Sequence, residues 1–280
     1  MEVGRYVTDG AISDILLHEY REYLINLYNR FKHYDPFFCT FFDDGQCAQN
    51  RSLQTEYKSK NSIDNLQVEV ENIQLFRTIK KYYFGKLYEQ YNKKPEVSKA
   101  YYLKSYEADL IPQYCIVNNL FDAQDSNVAN FILSKDKDLL QTCQFDNTYQ
   151  LVSGFKPSLG KNSRYSKAFD NETAIEYIYP NFKRGLLTAK HIPLILAITG
   201  DKADVITGVS GIGPAKAIQL IQDYSLPHTL DLLKLHTNIP EIFKKSQKNN
   251  SKTNFDLVIS NLRLTDFNEQ IKRTPISEAN

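Results

Sequence analysis

Long apolar runs, metal-binding cysteine pairs and a surplus of charge are all missing from this sequence. No apolar stretch approaches the roughly 20 residues that a membrane-spanning helix needs, and the first residues lack the apolar core of a signal peptide. The four cysteines are irregularly spaced without a Cys-x-x-Cys pair, which favours free thiols in a reducing compartment over a zinc site or disulfides. We therefore expect a cytoplasmic protein that has no membrane partner.

Charge is nearly balanced along the chain. Lysine and arginine number 34 and aspartate and glutamate 33, so the formal net charge is +1 at pH 7. This total does not indicate a broadly basic surface, and any contact with nucleic acid has to come from local basic patches beside a local acidic site. With 280 residues, the chain is long enough for one large domain or for a domain with a smaller appendage.

Two carboxylates and a glycine-rich turn occupy the most informative stretch, which reads ITGDKADVITGVSGIGPAKA from 198 to 217. Asp201 and Asp204 follow an apolar run that is typical of a helix, and Pro214 opens a second helix. The glycines between them are Gly208, Gly211 and Gly213. Such a turn leaves backbone N–H groups available to a phosphate, and the acidic pair can hold a metal ion beside it. A glycine-rich turn is also a common tight connection between helices.

Other carboxylates follow predicted strands. Apolar runs at 37–42 and 131–133 predict buried strands, and an acidic turn comes after each of them. Open α/β sheets gather ligands at the carboxyl ends of their strands. Alternation places Asp136 and Asp138 on one face, where both can reach one ion or bridge two. An Asp-Lys-Asp run is otherwise a commonplace surface turn.

The stretch around the glycine-rich turn resembles the helix-three-turn-helix segment of the 5′ nuclease family. This family comprises flap endonucleases, phage 5′→3′ exonucleases and the 5′ nuclease domain of bacterial DNA polymerase I. Its pattern Gly-Asp-x-x-Asp-Asn-Ile-x-Gly-Val-x-Gly-Ile-Gly-x-x-x-Ala matches residues 200–217, except that Val205 replaces Asn. Thr207 also stands where the family usually has Pro. The acidic positions and the glycines match together in spacing, which makes the resemblance specific.

Further family signatures occur in the same order along the chain. The runs YEAD at 106–109 and SKDKD at 134–138 are similar to two acidic motifs of the family, although Leu110 stands where the first motif has a further Asp. Asp9-Gly10 and Asp44-Gly45, nearer the N-terminus, match two Asp-Gly motifs of the family. The resemblance implies eight metal ligands: Asp9, Asp44, Glu107, Asp109, Asp136, Asp138, Asp201 and Asp204. The first five would serve one ion and the last three a second.

The resemblance also implies contacts with nucleic acid. Arg51 and Lys58 would be catalytic, facing the phosphates near the scissile bond and stabilising charge on the transferring phosphoryl group. The alternative is that they are exposed basic residues of a helix. The residues expected to bind the backbone of duplex DNA, with K⁺ at the turn, are Gly208, Gly211, Ile212, Gly213 and Lys216.

Oxygen ligands without histidine or cysteine favour Mg²⁺ or Mn²⁺, as one ion or two. Two ions about 3.5–4 Å apart would generate a nucleophile and stabilise the leaving oxygen of a phosphodiester. The expected fold is α/β: a PIN-like domain at 1–185 with a mostly parallel central sheet flanked by helices and an arch region near 50–100. A helix-hairpin-helix DNA-binding subdomain follows at 186–280, with a last helix at 255–264.

The expected activity is that of a metal-dependent 5′→3′ exonuclease and flap endonuclease. It would act as a monomer on 5′ flaps or RNA–DNA hybrids in DNA replication, with replisome proteins as partners and a phage or similar small genome as its source. One alternative is a nuclease-fold protein with weakened catalysis that serves as a DNA-binding replication component. Leu110 favours this alternative because it replaces a carboxylate of the family motif. A PIN-class ribonuclease is the other, and the glycine-rich turn argues against it.

Overall fold

A computed structural model describes residues 31–42, 98–102, 106–153, 165–182, 187–246 and 252–273, together with His18, Glu22, Ile25, Asn26, Tyr28 and Asn29. These residues divide into two compact units. The first unit contains the described residues up to 102, and the second contains those from 106 onwards. Most of the predicted arch region lies outside the described residues.

The first unit contains a pair of parallel strands, β1 (Phe38–Phe42) and β2 (Ser98–Tyr102), in which Phe38 lies opposite Ser98. The strand predicted at 37–42 is thereby confirmed and begins one residue later. A short 3₁₀ helix at Lys32–Tyr34 precedes it. Asp35 then takes a left-handed conformation with φ +48°, which aspartate tolerates better than most residues, and ends the helix before Pro36.

The sheet of the second unit has three strands in the order β3-β4-β5. They are β3 (Asn130–Leu133), β4 (Thr148–Ser153) and β5 (Tyr165–Phe169). β3 and β4 are parallel, whereas β4 and β5 are antiparallel. The strand predicted at 131–133 is confirmed. A 3₁₀ helix at Asp138–Gln144 lies in the crossover from β3 to β4.

Helices make up most of the rest of the second unit. They are α1 (Leu110–Val117), α2 (Ala174–Ile178), α3 (Ile192–Thr199), α4 (Pro214–Asp223), α5 (Leu230–Leu235), α6 (Glu241–Lys244), α7 (Asn254–Thr265) and α8 (Phe267–Arg273). Two-residue antiparallel strands, β6 (Gly200–Asp201) and β7 (Ile206–Thr207), lie between α3 and α4. Further 3₁₀ helices lie at Leu120–Asp122 and Ala189–His191.

α3 is the centre of the hydrophobic core. All residues from 192 to 198 are buried, as expected for a helix that is apolar on every side, and α3 packs against α7. Asn261 of α7 donates hydrogen bonds from Nδ2 to the carbonyl oxygens of Ala197 at 2.9 Å and Thr207 at 2.8 Å. Leu140 and Cys143 belong to the same core, so the 3₁₀ helix that begins at Asp138 is fixed beside α3.

The α/β fold class is confirmed, with two parallel strand pairs among the described residues. The PIN-like central sheet, the helix-hairpin-helix subdomain and the boundary at 185/186 stay predictions; the core of the second unit includes residues on both sides of that boundary. Cys39, Cys115 and Cys143 are free thiols, as predicted. No helix in the described ranges is both long and apolar enough to cross a membrane.

Candidate metal centre

Three carboxylates from separate elements meet at one point. Asp138, Asp201 and Asp204 each offer an oxygen atom, and these atoms all lie within 4.8 Å of one another. Asp138 is the first residue of the 3₁₀ helix after β3, Asp201 lies in β6 directly after α3, and Asp204 lies in the turn between β6 and β7. We call these three residues the carboxylate cluster. They are the set that the resemblance assigned to the second ion.

The turn after α3 explains how Asp201 and Asp204 reach the same point. Gly200 ends α3 with φ +77°, a conformation that favours glycine, and the chain reverses there. The Ala203 N–H then donates to Asp201 Oδ1 at 2.9 Å, which closes a turn around the first carboxylate. This turn carries Asp204 back towards Asp201.

Hydrogen bonds also fix the loop that carries Asp138. The Asp136 N–H donates to Ser134 Oγ at 3.0 Å, and the Asp138 N–H donates to Asp136 Oδ1 at 3.1 Å. Gln150 of β4 is completely buried, and its Nε2 donates to the carbonyl oxygens of Ser134 at 3.1 Å and Asp136 at 2.7 Å. Gln150 therefore ties this loop to β4, and the hydrogen bond of the Asp138 N–H fixes the backbone at Asp138.

The cluster is electrostatically strained without a cation. Burial, as the largest cause, raises the pKa of Asp138 to about 8. The negative charges of Asp136, Asp201 and Asp204 act in the same direction, whereas the Lys137 ammonium lowers this pKa. Lys137 Nζ lies 3.0 Å from Asp201 Oδ2, and the Asp201 side chain is only 5% exposed.

This donor set fits a divalent cation. Its three members supply only carboxylate oxygens, and Asp138 Oδ1 is buried without a hydrogen-bond partner among the described residues. A buried carboxylate oxygen in that state is costly unless a proton or a cation neutralises it. A divalent cation would satisfy this oxygen and offset the repulsion that raises the pKa of Asp138.

Three other predicted ligands are described and lie outside the cluster. Glu107 is buried, Asp109 is half-buried just before α1, and Asp136 is exposed. The Leu110 N–H donates to the Glu107 carbonyl oxygen at 3.1 Å, and the Leu110 side chain is 1% exposed. The position where the family has a further carboxylate is therefore packed into the core. Asp9, Asp44, Arg51 and Lys58 lie outside the described residues.

The glycine-rich turn has a buried and an exposed side. Ile212 is 6% exposed and its N–H donates to the Val209 carbonyl oxygen at 3.1 Å, so this residue anchors the turn in the core. Gly211 is exposed with φ +76°, and both Gly213 and Lys216 are exposed where α4 begins. The outer surface of the turn thus consists of glycine backbone beside a lysine.

Sequence reasoning missed several residues that shape the site. Gln150 and Gln141 are buried amides, and buried glutamine has no periodic signal that would distinguish it from a surface residue. The Lys137 ion pair had a weak signal, since this lysine stands between two aspartates in SKDKD. Gly200 was part of the matched pattern, but its positive φ shows why glycine is required there.

No family model matches the sequence. A "5′-3′ exonuclease" of Mycoplasma genitalium is 31% identical over 147 residues, which cover 51% of this chain and 42% of that protein. A "5′-3′ exonuclease" of Aquifex aeolicus is 29% identical over 180 residues, covering 63% of this chain and 54% of that protein. A "DNA polymerase I" of Borreliella burgdorferi is 29% identical over 185 residues, which cover 60% of this chain and 18% of that protein. The chain thus spans about half or less of the length of these curated relatives.

Solved structures of a bacteriophage T5 protein share the fold. One, of the T5 D15 protein co-crystallised with metal ions, superposes with a TM-score of 0.60 at 16% identity, covering 88% of this chain and 80% of that one. A second shows divalent zinc ions bound to T5 5′-exonuclease, with a TM-score of 0.56 and 17% identity over the same shares of the two chains. A third is the T5 D15 flap endonuclease in a pseudo-enzyme-product complex with DNA and metal ions, with a TM-score of 0.55, 17% identity and the same coverage.

Proposed function

We propose that this chain, whose resemblance to the 5′ nuclease family is confirmed by its curated relatives and by its fold, is a metal-dependent nuclease. It would work as a 5′→3′ exonuclease and flap endonuclease that hydrolyses phosphodiesters of 5′ flaps or RNA primers in DNA replication. The observation that carries this proposal is the carboxylate cluster, in which oxygen atoms of the buried Asp201 and the half-buried Asp138 and Asp204 converge on one point.

The chain would bind Mg²⁺ or Mn²⁺, because a set of carboxylates alone suits hard divalent cations better than zinc. Asp138, Asp201 and Asp204 would hold one ion. A second ion would be held by the remaining predicted ligands, namely Asp9, Asp44, Glu107, Asp109 and Asp136. A bound ion supplies Lewis-acid polarisation of the phosphodiester and neutralises developing charge.

The protein's own contribution is to hold the ligands in place for the ion. Gln150 and the turn at Gly200 fix the two backbone segments that carry the cluster. The raised pKa of Asp138 means that this carboxyl has to release a proton before it can bind an ion. Arg51 and Lys58 would stabilise the negative charge of the phosphoryl group in the transition state.

Contact with duplex DNA would come from the exposed side of the glycine-rich turn. Gly211 and Gly213 offer backbone that a phosphate can approach closely, and Lys216 adds a positive charge beside them. Such a contact is independent of base sequence and weakens with salt. A K⁺ ion at this turn, and the division into a nuclease domain at 1–185 and a DNA-binding subdomain at 186–280, belong to the same proposal.

One alternative has an observation in its favour. Leu110 packs into the core at a position where the family has a carboxylate, which would weaken binding of one of the two ions. A chain of this kind would retain the fold as a DNA-binding replication component with weak catalysis. Association with replisome proteins suits either function.

A cleavage assay separates the two. Duplexes with a labelled 5′ flap, a nick or an annealed RNA primer are incubated with Mg²⁺, with Mn²⁺ and with EDTA. Release of short 5′ products with either metal, abolished by EDTA, is expected for the nuclease. Tight binding of the flap duplex without cleavage in either metal would instead support the DNA-binding alternative.

A further inference from the structure

The ion pair between Lys137 and Asp201 is a feature that the proposed function does not use. Lys137 Nζ lies 3.0 Å from Asp201 Oδ2, in a geometry that suits a charge-assisted hydrogen bond. The Asp201 side chain is 5% exposed, whereas that of Lys137 is 36% exposed. The contact therefore buries the anion and leaves the lysine with a route to solvent.

Both oxygens of Asp201 are already engaged. Oδ1 accepts the Ala203 N–H at 2.9 Å, and Oδ2 accepts the Lys137 ammonium. The hydrogen bond to Ala203 is part of the turn that carries Asp204, so it cannot be released without moving a second ligand. An ion that binds to either oxygen of Asp201 therefore lies within a few ångströms of the Lys137 ammonium, because that ammonium is 3.0 Å from Oδ2.

A divalent ion on the Asp201 carboxylate would be repelled by the ammonium group that is bound to the same carboxylate. Two positive charges a few ångströms apart repel each other, and the repulsion is larger at a site shielded from water than on an open surface. The lysine side chain is flexible and can move its charge to solvent at low cost, whereas the carboxylates are fixed by backbone. Lys137 is therefore the partner that moves.

We propose that Lys137 is the resident counter-cation of the carboxylate cluster: its ammonium holds Asp201 in place while no divalent ion is bound, and a divalent ion displaces it from Asp201. This inference rests on the proposed function, because it requires the cluster to bind a divalent ion. It makes Lys137 a positioning residue that sets the metal affinity of the site, since every binding event has to break the ion pair.

Calorimetric titration of the full chain with Mn²⁺ tests this role. Lys137→Gln removes the competing charge and is expected to bind Mn²⁺ about tenfold more tightly than the wild type. Lys137→Arg keeps the charge and is expected to stay within about threefold of the wild type. Lys135→Gln is the matched control, because Lys135 is exposed two positions earlier in the same loop; its affinity should change by less than about twofold.

The outcomes are distinct. Unchanged or weaker Mn²⁺ binding by Lys137→Gln would overturn the inference, and an equal gain in Lys135→Gln would show a general charge effect without a specific contact. If the wild type binds no Mn²⁺ while the chain is folded, the metal centre itself is refuted, and the inference with it. Tight binding by all variants would refute only the role of Lys137.

Lysine acetylation of the wild type gives a second readout that does not depend on a variant folding. The ammonium of Lys137 is expected to become several-fold more reactive towards an acetylating reagent when Mn²⁺ saturates the site, as followed by peptide mass spectrometry. Lys135 and Lys202 are exposed and serve as internal references. Reactivity of Lys137 that stays constant or falls with Mn²⁺ would contradict displacement.

Discussion

Gly200 and Gly208 lie so close together that a Cβ atom on Gly200 would be 2.4 Å from the backbone nitrogen of Gly208. Gly200 leads directly into Asp201 of the carboxylate cluster, and Gly208 opens the glycine-rich turn. The Val209 N–H also donates to the Ile198 carbonyl oxygen at 2.8 Å. The proposed metal centre and the proposed DNA contact are therefore joined through backbone, without a flexible side chain between them.

The destabilisation caused by alanine substitutions in the turn should depend on how closely the new Cβ atom approaches neighbouring backbone and on the φ angle of the glycine. A Cβ on Gly208 would lie 2.2 Å from the Thr199 carbonyl oxygen, so we expect Gly208→Ala to lower the free energy of unfolding by about 3 kcal/mol or more. Gly211→Ala meets no neighbour but keeps φ +76°, which costs about 1–2 kcal/mol. Gly213→Ala has neither problem and should cost at most about 1 kcal/mol. Urea unfolding measures all three, and equal losses would contradict the ranking.

Metal affinity should rise with pH. The pKa of Asp138 is raised to about 8, so at neutral pH this carboxyl is mostly protonated and a cation has to displace the proton. We expect the association constant for Mn²⁺ to fall by up to about tenfold for each pH unit below 8 and to level off above it. Calorimetry at pH 7 in two buffers of different ionisation enthalpy should report close to one proton released per ion.

Asp138→Asn is the control for this pH dependence, because the amide does not titrate. Its weaker Mn²⁺ binding should release almost no proton. Binding by the wild type that is independent of pH between 6 and 9 would contradict the raised pKa of Asp138.

Gln141 should be essential for stability despite being polar. It is completely buried, and its Nε2 donates to the carbonyl oxygens of Asp138 at 2.8 Å and Thr265 at 3.0 Å. Its Oε1 accepts the Phe267 N–H at 2.9 Å. Gln141→Leu leaves these buried groups without partners, and we expect a loss of about 2–4 kcal/mol in the free energy of unfolding.

The same substitution at an exposed site is the comparison. Gln219 makes only a surface hydrogen bond to Asp223, and Gln219→Leu should change the free energy of unfolding by less than about 0.5 kcal/mol. Similar losses in the two variants in urea unfolding would argue against a structural role for the Gln141 network.

Acid should destabilise the fold through His191. Burial, with smaller effects from His228 and Lys190, lowers the pKa of His191 to about 4. The unfolded chain therefore binds a proton between pH 6.5 and 4 that the folded chain does not, so stability falls as the pH falls through this range. The full effect is on the order of 3 kcal/mol. Urea unfolding midpoints at pH 7 and pH 4.5 measure this loss. The midpoint of His191→Phe is expected to change less between the two pH values. An equal change in the wild type and the variant would refute His191 as the cause.

The sequence predicted elements whose signal is local. The strands at 37–42 and 131–133 are apolar runs followed by acidic turns, and the structure has both. The last helix was predicted at 255–264 and lies at Asn254–Thr265 with a Thr253 cap. α8 (Phe267–Arg273) was missed because it follows after one residue, with Asp266 between, and has too few apolar positions for a period to be recognised.

The family resemblance grouped Asp138 with Asp201 and Asp204, but the sequence did not indicate which contacts hold these residues in place. Spacing along the sequence does not by itself reveal that Asp138 meets Asp201 and Asp204 while Asp136 stays outside the cluster. That difference depends on the 3₁₀ helix that turns Asp138 inward and on the Gln150 hydrogen bonds, which are long-range contacts. Buried amides of this kind have no periodic pattern, so only coordinates reveal them.

The most direct measurement is the single-turnover cleavage rate of a labelled 5′-flap duplex in Mg²⁺ by the wild type, Asp201→Asn, Asp138→Asn and Asp146→Asn. Asp146 is exposed just after the 3₁₀ helix that Asp138 begins and serves as the matched control. If the carboxylate cluster holds the catalytic metal, the first two variants should be slowed about 100-fold or more while still binding the duplex, and Asp146→Asn should stay within about twofold of the wild type. Cleavage by Asp201→Asn at the wild-type rate would contradict a metal centre at this cluster.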